Sequence, residues 1–132
     1  MRKSFAKHLA ILVATGALAP LPVLAADVGS EIVTAGTHAD LAAQAADLDG
    51  VHMHLHHALN CLVGPQGQGF DAKQMNPCAN AGNGAIPDSS DPAKKQALQA
   101  AAAKASAGIA ELDIAKAKAD ATATAGMLKT IK

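Results

Sequence analysis

The sequence predicts an all-α fold, and three observations carry that expectation. A quarter of the 132 residues are Ala, the strongest helix former. Trp and Tyr are absent and Phe occurs twice, so the aromatic residues that strands favour are scarce. Helix start and stop signals divide the chain into two long helical stretches around a Gly/Pro-rich middle. The expected architecture is an antiparallel helical hairpin with a long disulfide-stapled loop. A chain of this length holds one domain.

Residues 1–25 read as an export signal peptide. Arg2, Lys3 and Lys7 head the segment, and Leu9-Ala10-Ile11-Leu12-Val13-Ala14 opens an apolar run. Val23-Leu24-Ala25 then sets small residues at a peptidase site. Gly16, Pro20 and Pro22 interrupt the run, which falls short of the roughly 20 apolar residues of a membrane span. The expected destination is the periplasm, with no membrane attachment after cleavage. The remainder, residues 26–132, is expected to form a single helical domain. It has no Arg, and eight Lys face eleven Asp and Glu, a net charge of −3 with neutral His. Nucleic-acid recognition leans on Arg, on a basic face and on aromatic stacking platforms. Residues 26–132 offer no Arg, no basic excess and, apart from the histidines, the single aromatic Phe70, so nucleic acid is not an expected partner.

The first helix is expected over about 30–63. Ser30 is one candidate start, and Thr37-His38-Ala39-Asp40 has the look of a capping box that would start it later. Gly50 weakens its middle, and Gly64-Pro65 is a stop signal. Residues 64–90 read as a loop, marked by Gly64-Pro65-Gln66-Gly67-Gln68-Gly69, Asn76-Pro77, Asn83-Gly84 and Pro87. A structureless loop of that length is unusual in a small domain. Cys61 and Cys78, the only cysteines, are expected to staple it as a disulfide in an oxidising compartment. Such a closure contributes roughly 3 kcal/mol on the chain-entropy model. The Gly-rich run is no phosphate loop, because no strand precedes it and no GK[ST] follows. Ser90-Asp91-Pro92 opens a second helix over about 91–131, with Pro near its first position and Gly108 and Gly126 as candidate interruptions. Two such helices bury little apolar surface, so a homodimer forming a four-helix bundle is expected.

The histidines carry the functional signal. His38, His52, His54, His56 and His57 follow the leader, four of them within Val51–His57. With 30–63 projected as one continuous helix, His52 lies on the apolar stripe with Leu41, Ala45, Leu48 and Leu59. His38 and His56 sit about 40° to its sides, and His54 and Cys61 fall on the far side. His52 and His56 form an i, i+4 pair able to chelate one ion. Asp49 stands one turn before His52 as a further ligand or hydrogen-bond acceptor. Met53 and His57 form a second i, i+4 pair. Neutral imidazole is a common ligand for late transition metals. His with carboxylate suits Cu(II), Ni(II) or Zn(II), whereas added Met favours Cu(I). The candidate metal ligands are therefore His52, His56, Met53, His57, Asp49 and His38, with copper favoured over nickel or zinc. The facing stretch Ala100–Ala103 supplies no ligand, so a second protomer is expected to complete the set.

These features imply an exported metal-binding protein that buffers, stores or transfers a transition metal. One alternative is a haem-binding bundle with His52 as axial ligand from each protomer; the absence of CxxCH excludes covalent attachment. Another is a non-enzymatic interaction or stress protein whose histidines form a patch responsive near about pH 6. An enzyme is not expected. No Ser/His/Asp arrangement is legible, and Asp47 and Asp49 face differently on a helix.

Overall fold

Five helices and no strand are found over residues 25–132, the part of the chain that the computed structural model describes. The export signal read over residues 1–25 lies outside the described residues, apart from Ala25. The elements are α1 (Val28–Gln44), α2 (Leu48–Val63), α3 (Ala85–Asp88), α4 (Pro92–Ala110) and α5 (Ile114–Thr130).

Each of the two long helices expected from the sequence is broken near its middle. The cause is an Asp that starts a new helix in each case. Asp47 accepts a hydrogen bond from the Gly50 backbone N–H at 2.8 Å, and Asp113 accepts one from Lys116 N–H at 3.0 Å. Such caps satisfy donors that a helix start leaves unpaired. The preceding helices end in tight turns, with Ala45 N–H on Ala42 O at 3.2 Å and Glu111 N–H on Gly108 O at 3.3 Å. Gly50 therefore lies in the first turn of α2, not in mid-helix. Thr37 caps nothing; it lies inside α1, and its hydroxyl donates back to Val33 O at 2.9 Å. The start of α1 is capped by Asp27, which accepts from Ser30 N–H at 2.9 Å. Gly108 and Gly126 interrupt nothing and sit inside α4 and α5.

The single long hairpin thus becomes two short ones, α1–α2 and α4–α5. Around the core, α1 packs on α2 and α5, and α4 packs on α5 and α2, so four helices of one chain close a ring. Val51, Leu55, Leu62, Leu98 and Leu128 fill the centre, with Ala35, Ala42, Ala101, Ala105, Ala117 and Ala121 between them. Burying each Leu stabilises the fold by roughly 1.5–3 kcal/mol. The Ala side chains let the helix axes approach. The absence of a side chain at Gly108 does so at one point, where an added Cβ would run into Leu55 of α2. A second, smaller layer is Ala39, Ala58 and Ala125.

The segment between α2 and α4 is held down at several points, and its last part forms α3. Cys61 and Cys78 form the expected disulfide, with Cα atoms 5.1 Å apart. Asn60 is fully buried. Its amide donates to Asp71 O at 3.0 Å and Met75 O at 3.1 Å, and its oxygen accepts from Asp71 N–H at 2.9 Å. Gly64 ends α2 at φ 67° and faces the Asn83–Gly84 backbone so closely that a Cβ at Gly64 would collide with Asn83 O. Glu31 of α1, fully buried, accepts from Gly84 N–H at 2.8 Å. Burial pushes its carboxyl above the usual range; the Gly84 bond opposes this shift, while the charges of Asp88 and Asp27 reinforce it.

Candidate metal centre

The α1–α2 turn decides which histidines meet. It spans only Ala45–Asp47 and reverses the chain about Ala46, so residues equidistant from Ala46 face each other across the two helices. His38 and His54 are such a pair, and their Nδ1 atoms lie 3.3 Å apart. His57 is three residues beyond His54, hence on the same side of α2. Its ring stands edge-on to both others, with centroids 5.1 Å from His38 and 5.7 Å from His54. One ligand nitrogen from each of the three lies within 4.8 Å of the others.

Two nitrogens bound to one tetrahedral ion at about 2.0–2.1 Å stand roughly 3.3 Å apart. The His38–His54 separation matches that spacing. His57 is buried, and His38 and His54 are half-buried. The buried Nδ1 of His57 has no hydrogen-bond partner, a state most buried polar atoms avoid. Burial lowers the pKa of His38, and the neighbouring His57 and His54 add to the effect. Burial likewise lowers His57, with His54 and His56 adding to it. Neutral imidazole is the form that donates a lone pair to a metal, so the surroundings favour the ligating state.

Of the other sequence-derived candidates, His52, His56 and Asp49 lie elsewhere. His52 Nε2 is 2.8 Å from Glu111 O, so the ring donates to the turn between α4 and α5. His56 faces the loop, with Nδ1 3.9 Å from Asp71 Oδ2, too far for a hydrogen bond. Asp49 is exposed in the first turn of α2, and Met53 is exposed one turn before His57. Of the five His and Asp candidates, only His38 and His57 come together, and His54 joins them. His54 projects to the far side only if one continuous helical phase runs through residues 45–47, where the structure has a turn. Once the chain reverses there, the side of α2 bearing His54, Ala58 and Cys61 is turned towards α1. The i, i+3 spacing of His54 and His57 was visible in the sequence. Reading Asp47 as an N-cap would have placed His38 opposite them.

Of the facing stretch Ala100–Ala103, Ala101 and Ala102 pack into the core. A cleft of about 600 Å³ does lie between α2, the loop and α4, lined by Leu59, Val63, Gln66, Ile86, Gln99 and Ala103 among others, with no histidine. Among the described residues no helix is long and apolar enough to cross a membrane. Comparison of the chain with protein-family models, with curated proteins and with solved structures finds no significant match.

Proposed function

We propose that this protein binds a transition-metal ion through His38, His54 and His57, and that it buffers, stores or transfers that ion outside the cytoplasm. One observation carries the reading: three imidazoles from two helices present nitrogens within 4.8 Å of one another, two of them at chelating separation. Three protein ligands leave a coordination position open, which suits exchange of an ion better than a closed four-ligand structural site does. Imidazole sites accept copper, nickel and zinc, and copper binds most tightly in the divalent series. A disulfide suits an oxidising compartment, in keeping with the basic and apolar leader. All the ligands come from one chain, so this site asks for no second protomer.

The test is titration of the untagged protein, lacking residues 1–25, with Cu(II), Ni(II) and Zn(II) against a competing chelator. Each of His38→Ala, His54→Ala and His57→Ala is expected to weaken binding by at least about 10–100-fold, the range seen even for residues that only support a ligand. His52→Ala and His56→Ala are expected to leave affinity within about threefold, because neither belongs to the cluster. Unchanged affinity in the three cluster variants, or a loss confined to His52→Ala and His56→Ala, overturns the reading.

A further inference from the structure

The surroundings of the three histidines bear on which ion would be held, an inference that rests on the metal-binding reading above. No carboxylate or thiolate belongs to the cluster among the described residues. Asp40, two residues from His38, is paired with Lys129 at 2.9 Å. A divalent ion would bring two uncompensated charges into a half-buried, neutral set of ligands, and a monovalent ion only one. Burying uncompensated charge is costly, and the cost is smaller for the ion of lower charge.

The second observation is the placement of sulfur. Met53 is 41% exposed although its helix is otherwise well packed. It precedes His57 by four residues, which places its Cβ about 5–6 Å from that of His57. Met75 is 64% exposed, and its carbonyl is fixed by Asn60, one turn beyond His57. The remaining described methionine, Met127, packs against the core. Met53 thus shares α2 with His54 and His57, and the Met75 backbone meets that helix one turn beyond His57. Thioether is a soft ligand that selects Cu(I) over divalent ions, and the long unbranched side chain can swing.

We propose that the ion carried is Cu(I), held by His38, His54 and His57, and that Met53 is the thioether that captures it and occupies the open position, with Met75 as a second sulfur at the rim. Binding is a ligand exchange without electron transfer: Cu(I) leaves its donor complex and exchanges that complex's ligands for imidazole nitrogens and the Met53 sulfur.

The experiment compares Cu(I), kept reduced without oxygen and competed against a chromogenic chelator, with Zn(II) competed in parallel. The proteins are the wild type, Met53→Leu, Met53→Leu with Met75→Leu, and His38→Ala with His57→Ala. Met53 is exposed, so Leu is accommodated, and circular dichroism verifies helicity in each variant. The wild type is expected to prefer Cu(I), and Met53→Leu to lose about tenfold or more in Cu(I) affinity with Zn(II) affinity unchanged, the scale typical of a removed supporting group. X-ray absorption of the Cu(I) form should show a sulfur neighbour that disappears in the double Met variant. Equal Cu(I) affinity in wild type and both Met variants overturns the inference while the histidine site stands. A parallel loss of Cu(I) and Zn(II) in Met53→Leu also overturns it, by making Met53 structural. Wild-type binding of both ions by His38→Ala with His57→Ala instead removes the histidine site itself.

Discussion

Protonating His57 would place a cation in a buried position beside two further imidazoles. Burial and these neighbours depress its pKa, and they depress that of His38 as well. A depressed folded-state pKa means that the unfolded chain takes up protons first as pH falls. The stability due to these groups is fully present above the unfolded value of about 6.5 and is lost as pH falls through the folded-state values. Denaturant midpoints measured from pH 7.5 down to pH 5 should therefore decline through this window. His57→Asn should flatten the decline, because one group that resists protonation is gone. An identical pH profile in wild type and variant contradicts this assignment. Glu31 acts in the opposite sense: its raised pKa gives stability present below the unfolded value and lost as pH rises through the folded one, so the two effects have separable signs. At this scale the sequence made part of the site legible. Four histidines within Val51–His57 announced ligand chemistry, and His38 and His57 stood among the candidates. It concealed the partnership of His38 with His54, because two rings 16 residues apart meet only if the chain reverses between them.

That reversal rests on a small element, the Asp N-cap. Asp47 and Asp113 each hold the first turn of a helix that propensity alone would have merged with the one before. Ala-rich sequence runs up to both breaks, so helix propensity stays high on each side and hides them. The capping power of an Asp becomes visible only when its side chain turns back onto an N–H three residues on. Gly64-Pro65 and Asp91-Pro92, by contrast, were legible because proline and glycine restrict the backbone whatever surrounds them. Asp47→Ala and Asp113→Ala are each expected to cost about 1 kcal/mol of unfolding free energy. Their effects on the metal site should differ. Asp47 sets the turn that brings His38 opposite His54, whereas Asp113 sets the α4–α5 turn, which carries none of the three ligands and contacts His52. Asp47→Ala should therefore weaken metal binding as well as stability, and Asp113→Ala should weaken stability alone. Equal effects of the two variants on metal affinity would show that the turn does not position the ligands.

Over the described residues, four long helices of one chain replace the two that the sequence suggested. A two-helix hairpin would have a thin core that a second copy could complete; α1, α2, α4 and α5 enclose Leu55, Leu62, Leu98 and Leu128 among themselves, so closing this core does not require one. The disulfide joins the two cysteines expected to pair. It does not rescue a loop without structure, because Asn60, Glu31 and the Gly64–Gly84 contact also fix that segment. Its main contribution is to restrict the unfolded chain between positions 17 apart, worth roughly 3 kcal/mol. Cys61→Ala with Cys78→Ala should therefore lower the unfolding free energy by about that amount while leaving helicity at 25 °C and affinity at the histidine site close to wild type. The two determinants are separable because the three ligands sit on α1 and α2, which pack on each other directly through the core and through Ala39 and Ala58. Saturating metal, at about 100 times Kd, should then return roughly 2.7 kcal/mol to the variant, nearly the disulfide's share. Loss of metal affinity in a still-helical double Ala variant would show instead that Cys61, one turn beyond His57, is what holds the ligands in place.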